Sequence, residues 1–190
     1  SPSRGLGDVY KRQIVGHTKM SKKPGVAVAH WFVMVGFLLG SLVWFEAYIQ
    51  TFWPAGGWPL LKDWTVWHFI DEILGLGTTL GILALIIVRQ TNLGKERLSR
   101  FYGSNAKAAY FVEAVVLIEG LGMMFVKAAK LATYGDHGHT GAEVWTWANF
   151  VTGGIAQILP ASEVMVSIFA LIKLLSGMVW LFVVGRNLTW

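Results

Sequence analysis

The sequence predicts an all-α integral membrane protein, a helical bundle of four transmembrane helices with one short interfacial or re-entrant helix. Three observations lead there. Of 190 residues, 54% are hydrophobic and only 14% charged, and the mean hydropathy of +0.52 lies well above that of an ordinary soluble domain. Four stretches are long enough to cross a bilayer core, which takes about 20 apolar residues of helix with every backbone polar group paired inside it. Turn-forming residues and charges collect between those stretches rather than within them.

The opening SPSRGLGDVYKRQ, residues 1–13, has neither an apolar h-region nor a cleavage site, so it is no signal peptide. It reads as translated adaptor sequence, which leaves residues 14–190 as the transmembrane domain, itself read as a fragment of a longer protein. The first span is expected over 25–51, closed by the breakers Pro54, Gly56, Gly57 and Pro59. The second is expected over 66–88 and contains the run ILGLGTTLGILALIIV; the third is expected over 106–131. Trp145 to Leu159 is apolar but too short to cross, and contains Gly153 and Gly154, hence the interfacial or re-entrant assignment. After Pro160 the fourth span is expected over 163–184. Gly36 with Gly40, and Gly77 with Gly81, form GxxxG pairs that let two helices approach closely.

The loops set the orientation. Lys19, Lys22 and Lys23 precede the first span, and Arg89, Lys95, Arg97, Arg100 and Lys107 surround the second loop. The other loops carry Lys62 beside Asp63, and Asp136, Glu143 and Glu163. By the positive-inside rule, both ends of the fragment face the cytoplasm in a cell (inner or plasma) membrane. The tryptophans Trp53, Trp58, Trp64, Trp67, Trp145 and Trp147 then form the outer interfacial belt. Lys127 and Lys130 fall at the outer end of the third span, where their stems can snorkel. The net charge of +5 is thus a topology signal, and no nucleic-acid partner is expected; membrane lipid is. With no cysteine, this segment can hold no disulfide, zinc thiolate site or iron–sulfur cluster.

Polar groups inside apolar spans are costly and point to function or to tight pairing. His30, near the cytoplasmic end of the first span, reads either as an axial haem ligand or as a histidine bonded to a neighbouring helix. His68, Asp71 and Glu72 share a face at i, i+3 and i+4 on the outer turns of the second span. With Glu46 at comparable depth they form a candidate proton-relay or quinol-side cluster; alternatively, the acids simply favour the helix N-terminus. Glu46 lies in the C-terminal part of its helix, where the dipole disfavours it. Glu119 and Lys173 are each mid-span and are expected to pair, as a structural lock or as a step in a proton path. Glu113 is placed to meet the basic loop or His30. The tract DHGH (Asp136 to His139) is expected to be a solvated turn rather than a metal site.

Taken together, GHTKM (Gly16 to Met20), VAVAHWFVMVGF (Val26 to Phe37), FEAY (Phe45 to Tyr48), RFYGS (Arg100 to Ser104) and AYFVEAVVL (Ala109 to Leu117) carry a resemblance. Over about Val15 to Leu188 the chain resembles the membrane-embedded N-terminal portion of iron–sulfur-binding reductases related to heterodisulfide reductase. That portion is similar to the nitrate reductase gamma-subunit fold. The resemblance implies a further span before GHTKM and a downstream cytoplasmic domain or subunit with cysteine-ligated iron–sulfur clusters. It also implies haem b held by histidines on facing spans, with electrons passing between quinone or quinol and the iron–sulfur partner. His30 matches that haem role, and its partner histidine would lie beyond Trp190. The expected function is therefore the membrane domain of a quinone-linked iron–sulfur oxidoreductase, incomplete for turnover by itself. The alternatives are a passive anchor for the reductase and a small proton-coupled transporter, the latter without the internal repeat that transporters often show.

Overall fold

The computed structural model describes residues 24–92, 106–136 and 140–188. Four long helices dominate: α1 (Pro24–Phe52), α2 (Thr65–Asn92), α3 (Ala106–Tyr134) and α5 (Glu163–Leu188). Between α3 and α5 come a 3-10 turn (Gly141–Val144) and α4, the five residues Thr152–Ala156. No strand forms among the described residues. All four long helices are long and apolar enough to cross a membrane. The segments GHTKM and RFYGS, the histidines His17, His137 and His139, and the bases Lys19, Lys22, Lys23, Lys95, Arg97 and Arg100 lie outside the described residues.

The helices start and stop where local chemistry allows. After α1 the chain turns at Pro54, and the Trp58 indole N–H donates to the Leu42 carbonyl at 3.0 Å, folding the loop back along α1. α3 ends at Gly135, whose φ of 75° is the left-handed conformation that closes helices, and its N–H donates to Leu131 at 3.0 Å. Ser162 opens α5, its hydroxyl accepting the Met165 N–H at 3.4 Å as an N-cap does. Glu163 follows in the first turn, favoured by the helix dipole.

Long helices adjacent in sequence pack together, and α5 closes the ring against α1, while α1 and α3 barely touch across it. Glycines make the α1–α2 seam. A Cβ on Gly81 would meet the Ala29 carbonyl oxygen at 2.8 Å, and one on Gly77 would meet the Phe32 ring at 2.6 Å. Val33, Ile82 and Val116 form one core layer, and Val43, Leu74 and Met123 another. Ala47, Val126, Ala170 and Leu174 join α1, α3 and α5.

Polarity is inverted relative to a soluble bundle. Leu38, Leu80, Ile87, Ile172 and Phe182 face outward, whereas Glu46, Glu72, Glu113 and Lys173 are buried. The end where α1 and α3 finish and α2 and α5 begin is called here the upper end. The apolar stretch 145–159 yields only α4 with flanking turns, folded against the upper part of α3 through Leu131, Val144 and Ala156. Gly153 permits that fit, since a Cβ there would stand 2.7 Å from the Trp145 Cα.

Candidate functional site at the upper end

Every long helix sends an ionisable side chain into one space between their upper halves. The cavity has a volume of about 330 Å³. α1 contributes Glu46, α2 contributes His68 and Asp71, α3 contributes Lys127 and Lys130, and α5 contributes Lys173. Lys62, Lys127, Lys130 and Lys173 thus share the cavity wall with the acids Glu46, Asp63, Asp71 and Asp136, with His68 beside them. Trp67 and Tyr134 add aromatic wall.

The face shared by His68, Asp71 and Glu72 divides three ways. His68 takes the rim: its Nε2 lies 2.7 Å from the Lys62 carbonyl and its Nδ1 3.6 Å from Asp136 Oδ1. Glu72 leaves the cavity for the segment 145–159. Its Oε1 accepts the N–H groups of Val151 (2.6 Å) and Thr152 (2.8 Å). Its Oε2 accepts the Thr152 hydroxyl at 2.6 Å and the Lys127 ammonium at 2.9 Å. Asp71 alone points into the ring, in the field of Lys127 and Lys173, and its buried Oδ1 accepts no hydrogen bond.

Lys127 and Lys130 do not snorkel outward. Lys127 also donates to the carbonyls of His68 (2.6 Å) and Ala148 (3.2 Å), so it ties α2, α3 and the segment 145–159 together. Lys130 donates to the Gly56 carbonyl at 2.9 Å and stands 3.7 Å from Glu46 Oε1. Gly57 closes over that carboxylate, a Cβ there being only 2.6 Å from Glu46 Oε1. Asp136, the one described residue of DHGH, accepts the Asn149 amide at 2.7 Å and so faces inward. Lys127, Lys130, Asn149 and Thr152 were not among the sequence candidates. The available signal was the i, i+3 spacing of the two lysines, which puts both on one face of α3.

Glu119 and Lys173 occupy neighbouring levels but make no direct ion pair. Lys173, 1% exposed, donates to the Val43 carbonyl at 3.1 Å, with Asp71 and then Glu119 as its principal negative neighbours. Glu119 instead turns its carboxylate toward Ser176 and Gly177 of α5, one turn below Lys173.

At the lower end, Glu113 meets Arg89 at 2.6 Å, and the Arg89 guanidinium lies 5.8 Å from the centre of the Tyr110 ring. His30 is on α1 at that end, and the other described histidine, His68, is at the upper end of α2. The α1–α2 groove at the depth of His30 is filled by Gly81 against Ala29 and Val33. The described residues supply no second imidazole at that end. Nor do they form a metal-binding group of three or more His, Cys, Asp or Glu side chains.

A chamber of this kind can hold a small polar ring. Asp71 offers a free acceptor, and the Lys173 ammonium, with one protein acceptor for three protons, offers donors at the same level. No family model, no curated protein and no solved structure matches this chain.

Proposed function

We propose that this chain is the membrane domain of a quinone-linked iron–sulfur oxidoreductase, and that the upper cavity holds the quinol ring and receives its protons. Quinol oxidation releases two protons and two electrons. Asp71 is the acceptor for a ring hydroxyl, and Lys173 the donor to the ring oxygen. Electrons leave to redox groups outside the described residues, on the iron–sulfur module that the resemblance implies. A haem b at His30 would need its second axial ligand and its pocket from outside those residues.

The observation that carries this reading is Asp71, whose buried Oδ1 has no hydrogen-bond partner, in the wall of a chamber of about 330 Å³, at the lower limit for small-molecule pockets. A passive anchor needs its buried charges paired, as Glu72 with Lys127 and Glu113 with Arg89 are. Asp71 breaks that pattern. Trp67 in the wall provides the reporter: a water-soluble quinone analogue should quench its fluorescence saturably in the purified chain. Asp71→Asn should weaken binding about tenfold or more, because a hydrogen bond to a charged group is worth about 1.5–3 kcal/mol. Unsaturable quenching, or equal affinity in Asp71→Asn and Lys173→Met, would favour the anchor.

A further inference from the structure

At the mouth of the cavity one imidazole is held between a carbonyl and a carboxylate. His68 stands in the first turn of α2, and Lys62, Asp63 and Asp136 line the cavity with it. The Lys62 carbonyl lies 2.7 Å from His68 Nε2 and can only accept, so Nε2 carries a proton. That decides what the other nitrogen does. In a neutral ring Nδ1 is then a bare lone pair, yet it faces Asp136 Oδ1 at 3.6 Å. Two acceptors set against each other repel, whereas an imidazolium in the same place forms an ion pair with the carboxylate. The arrangement suits a doubly protonated His68.

Asp136 carries the contact further. Its Oδ2 accepts the side-chain amide of fully buried Asn149 at 2.7 Å, and Asn149 belongs to the segment 145–159. Contacts running from the Lys62 carbonyl through His68 and Asp136 to Asn149 thus join the α1–α2 loop, α2, the end of α3 and that segment. The nearby cations have other work. Lys127 donates to Glu72 and to the carbonyls of His68 and Ala148, three acceptors for its three protons. Lys130 turns to Gly56 and Glu46, and Lys62 stands 3.8 Å from Asp63. Lys173 is held by the Val43 carbonyl, deeper in the cavity beside Asp71, and Tyr134 turns to Glu163. The charge on the His68 ring is the adjustable link in this rim. Glu72 and Lys127 hold the segment 145–159 without using the His68 ring, so a change in that ring loosens the rim and leaves the segment anchored.

We propose that His68 is a pH-sensitive latch on the cavity: protonated, it holds Asp136 across the α2–α3 side of the mouth, and neutral, it lets that side open. The contact is present at low pH, where the ring is charged, and is lost as pH rises and Nδ1 gives up its proton. Acidifying the upper face therefore restricts access to the cavity. The latch concerns the mouth alone and does not rest on what the cavity holds.

Gln50 lines the cavity and is buried, and the chain has no cysteine, so Gln50→Cys gives a single internal reporter. Its modification by a small charged methanethiosulfonate is timed on the full chain in lipid nanodiscs, relative to the same cysteine in the His68→Gln background. From about pH 8 to about pH 5, where an imidazole ordinarily changes charge, this ratio of rates should fall about fivefold. That corresponds to about 1 kcal/mol, the upper value for a partly exposed ion pair. Thiolate loss on acidification cancels in the ratio, and the field of an imidazolium would raise thiolate, the opposite sign. Asp136→Asn should abolish the fall as well, and it replaces His68→Gln as the reference should that variant not fold. His137→Gln combined with His139→Gln, beside Asp136 in sequence, should leave the fall in place. A ratio independent of pH, a ratio that rises on acidification, no modification at any pH, or a fall that vanishes with His137 and His139 would each overturn the proposal.

Discussion

Glu72 uses both oxygens of a fully buried carboxylate to hold a segment nearly 80 residues away in sequence. Its acceptors are matched one to one with donors, and Lys127 supplies the opposite charge. Glu72→Ala strands that ammonium and the N–H groups of Val151 and Thr152 together. The expected loss is about 3–5 kcal/mol, the range found when one partner of a buried pair is removed. Unfolding in detergent should show it, with proteolysis opening first around 145–159. The double variant Glu72→Ala, Lys127→Met should lose clearly less than the sum of the singles, since the second change removes the stranded charge. Strict additivity would show that the pair is not coupled. The i, i+3, i+4 spacing made the shared face of His68, Asp71 and Glu72 legible. Their separate fates were not, because the deciding partners are backbone N–H groups of Val151 and Thr152, which carry no mark in side-chain pattern. Glu119 and Lys173 show the same limit: depth could be counted along each helix, but the Val43 carbonyl that takes the lysine could not.

At the level of elements, apolar run length with Pro and Gly punctuation located all four spans, and the helices extend past the expected limits by one to four residues at their ends. Several of those extra residues are polar or aromatic, such as Thr65 and Tyr134, and they extend helices whose hydrogen-bond ladder is already formed. The segment 145–159 was harder, because Glu72 and Lys127 rather than apolar periodicity hold it. The GxxxG pairs also turn out unequal. Gly81 faces the Ala29 carbonyl, which cannot move without its helix, whereas a Cβ on Gly40 would meet only Met123 Sδ at 3.6 Å. Gly81→Ala should therefore destabilise by about 1–3 kcal/mol through overpacking. Gly40→Ala should be neutral or better, since alanine gains up to about 1 kcal/mol of helix propensity over glycine. Thermal unfolding of the two single variants in one detergent decides it, and equal losses would mean that the seam is not set by backbone contact at Gly81.

Across the whole molecule, the two ends of the ring differ in charge, and that difference predicts which way the cavity faces. The lower end carries Arg89, Lys107 and Arg186 on the helix ends, and the upper end carries Asp63, Asp136, Glu143 and Glu163. Bases beside apolar spans are retained on the cytoplasmic side, and acids weigh little, so the lower end should stay inside and the cavity should open outward. Quinol protons accepted at Asp71 would then leave on the outer face, and the iron–sulfur module would meet the lower end. The chain has no cysteine, so single cysteines report position without background. Thr140 and Lys107 are both exposed, at opposite ends of the ring. In intact cells Thr140→Cys should react with a membrane-impermeant maleimide, while Lys107→Cys should react only after the membrane is opened. The reverse pattern would turn the cavity toward the cytoplasm. It would leave the cavity intact, but it would remove proton release to the outside as a consequence.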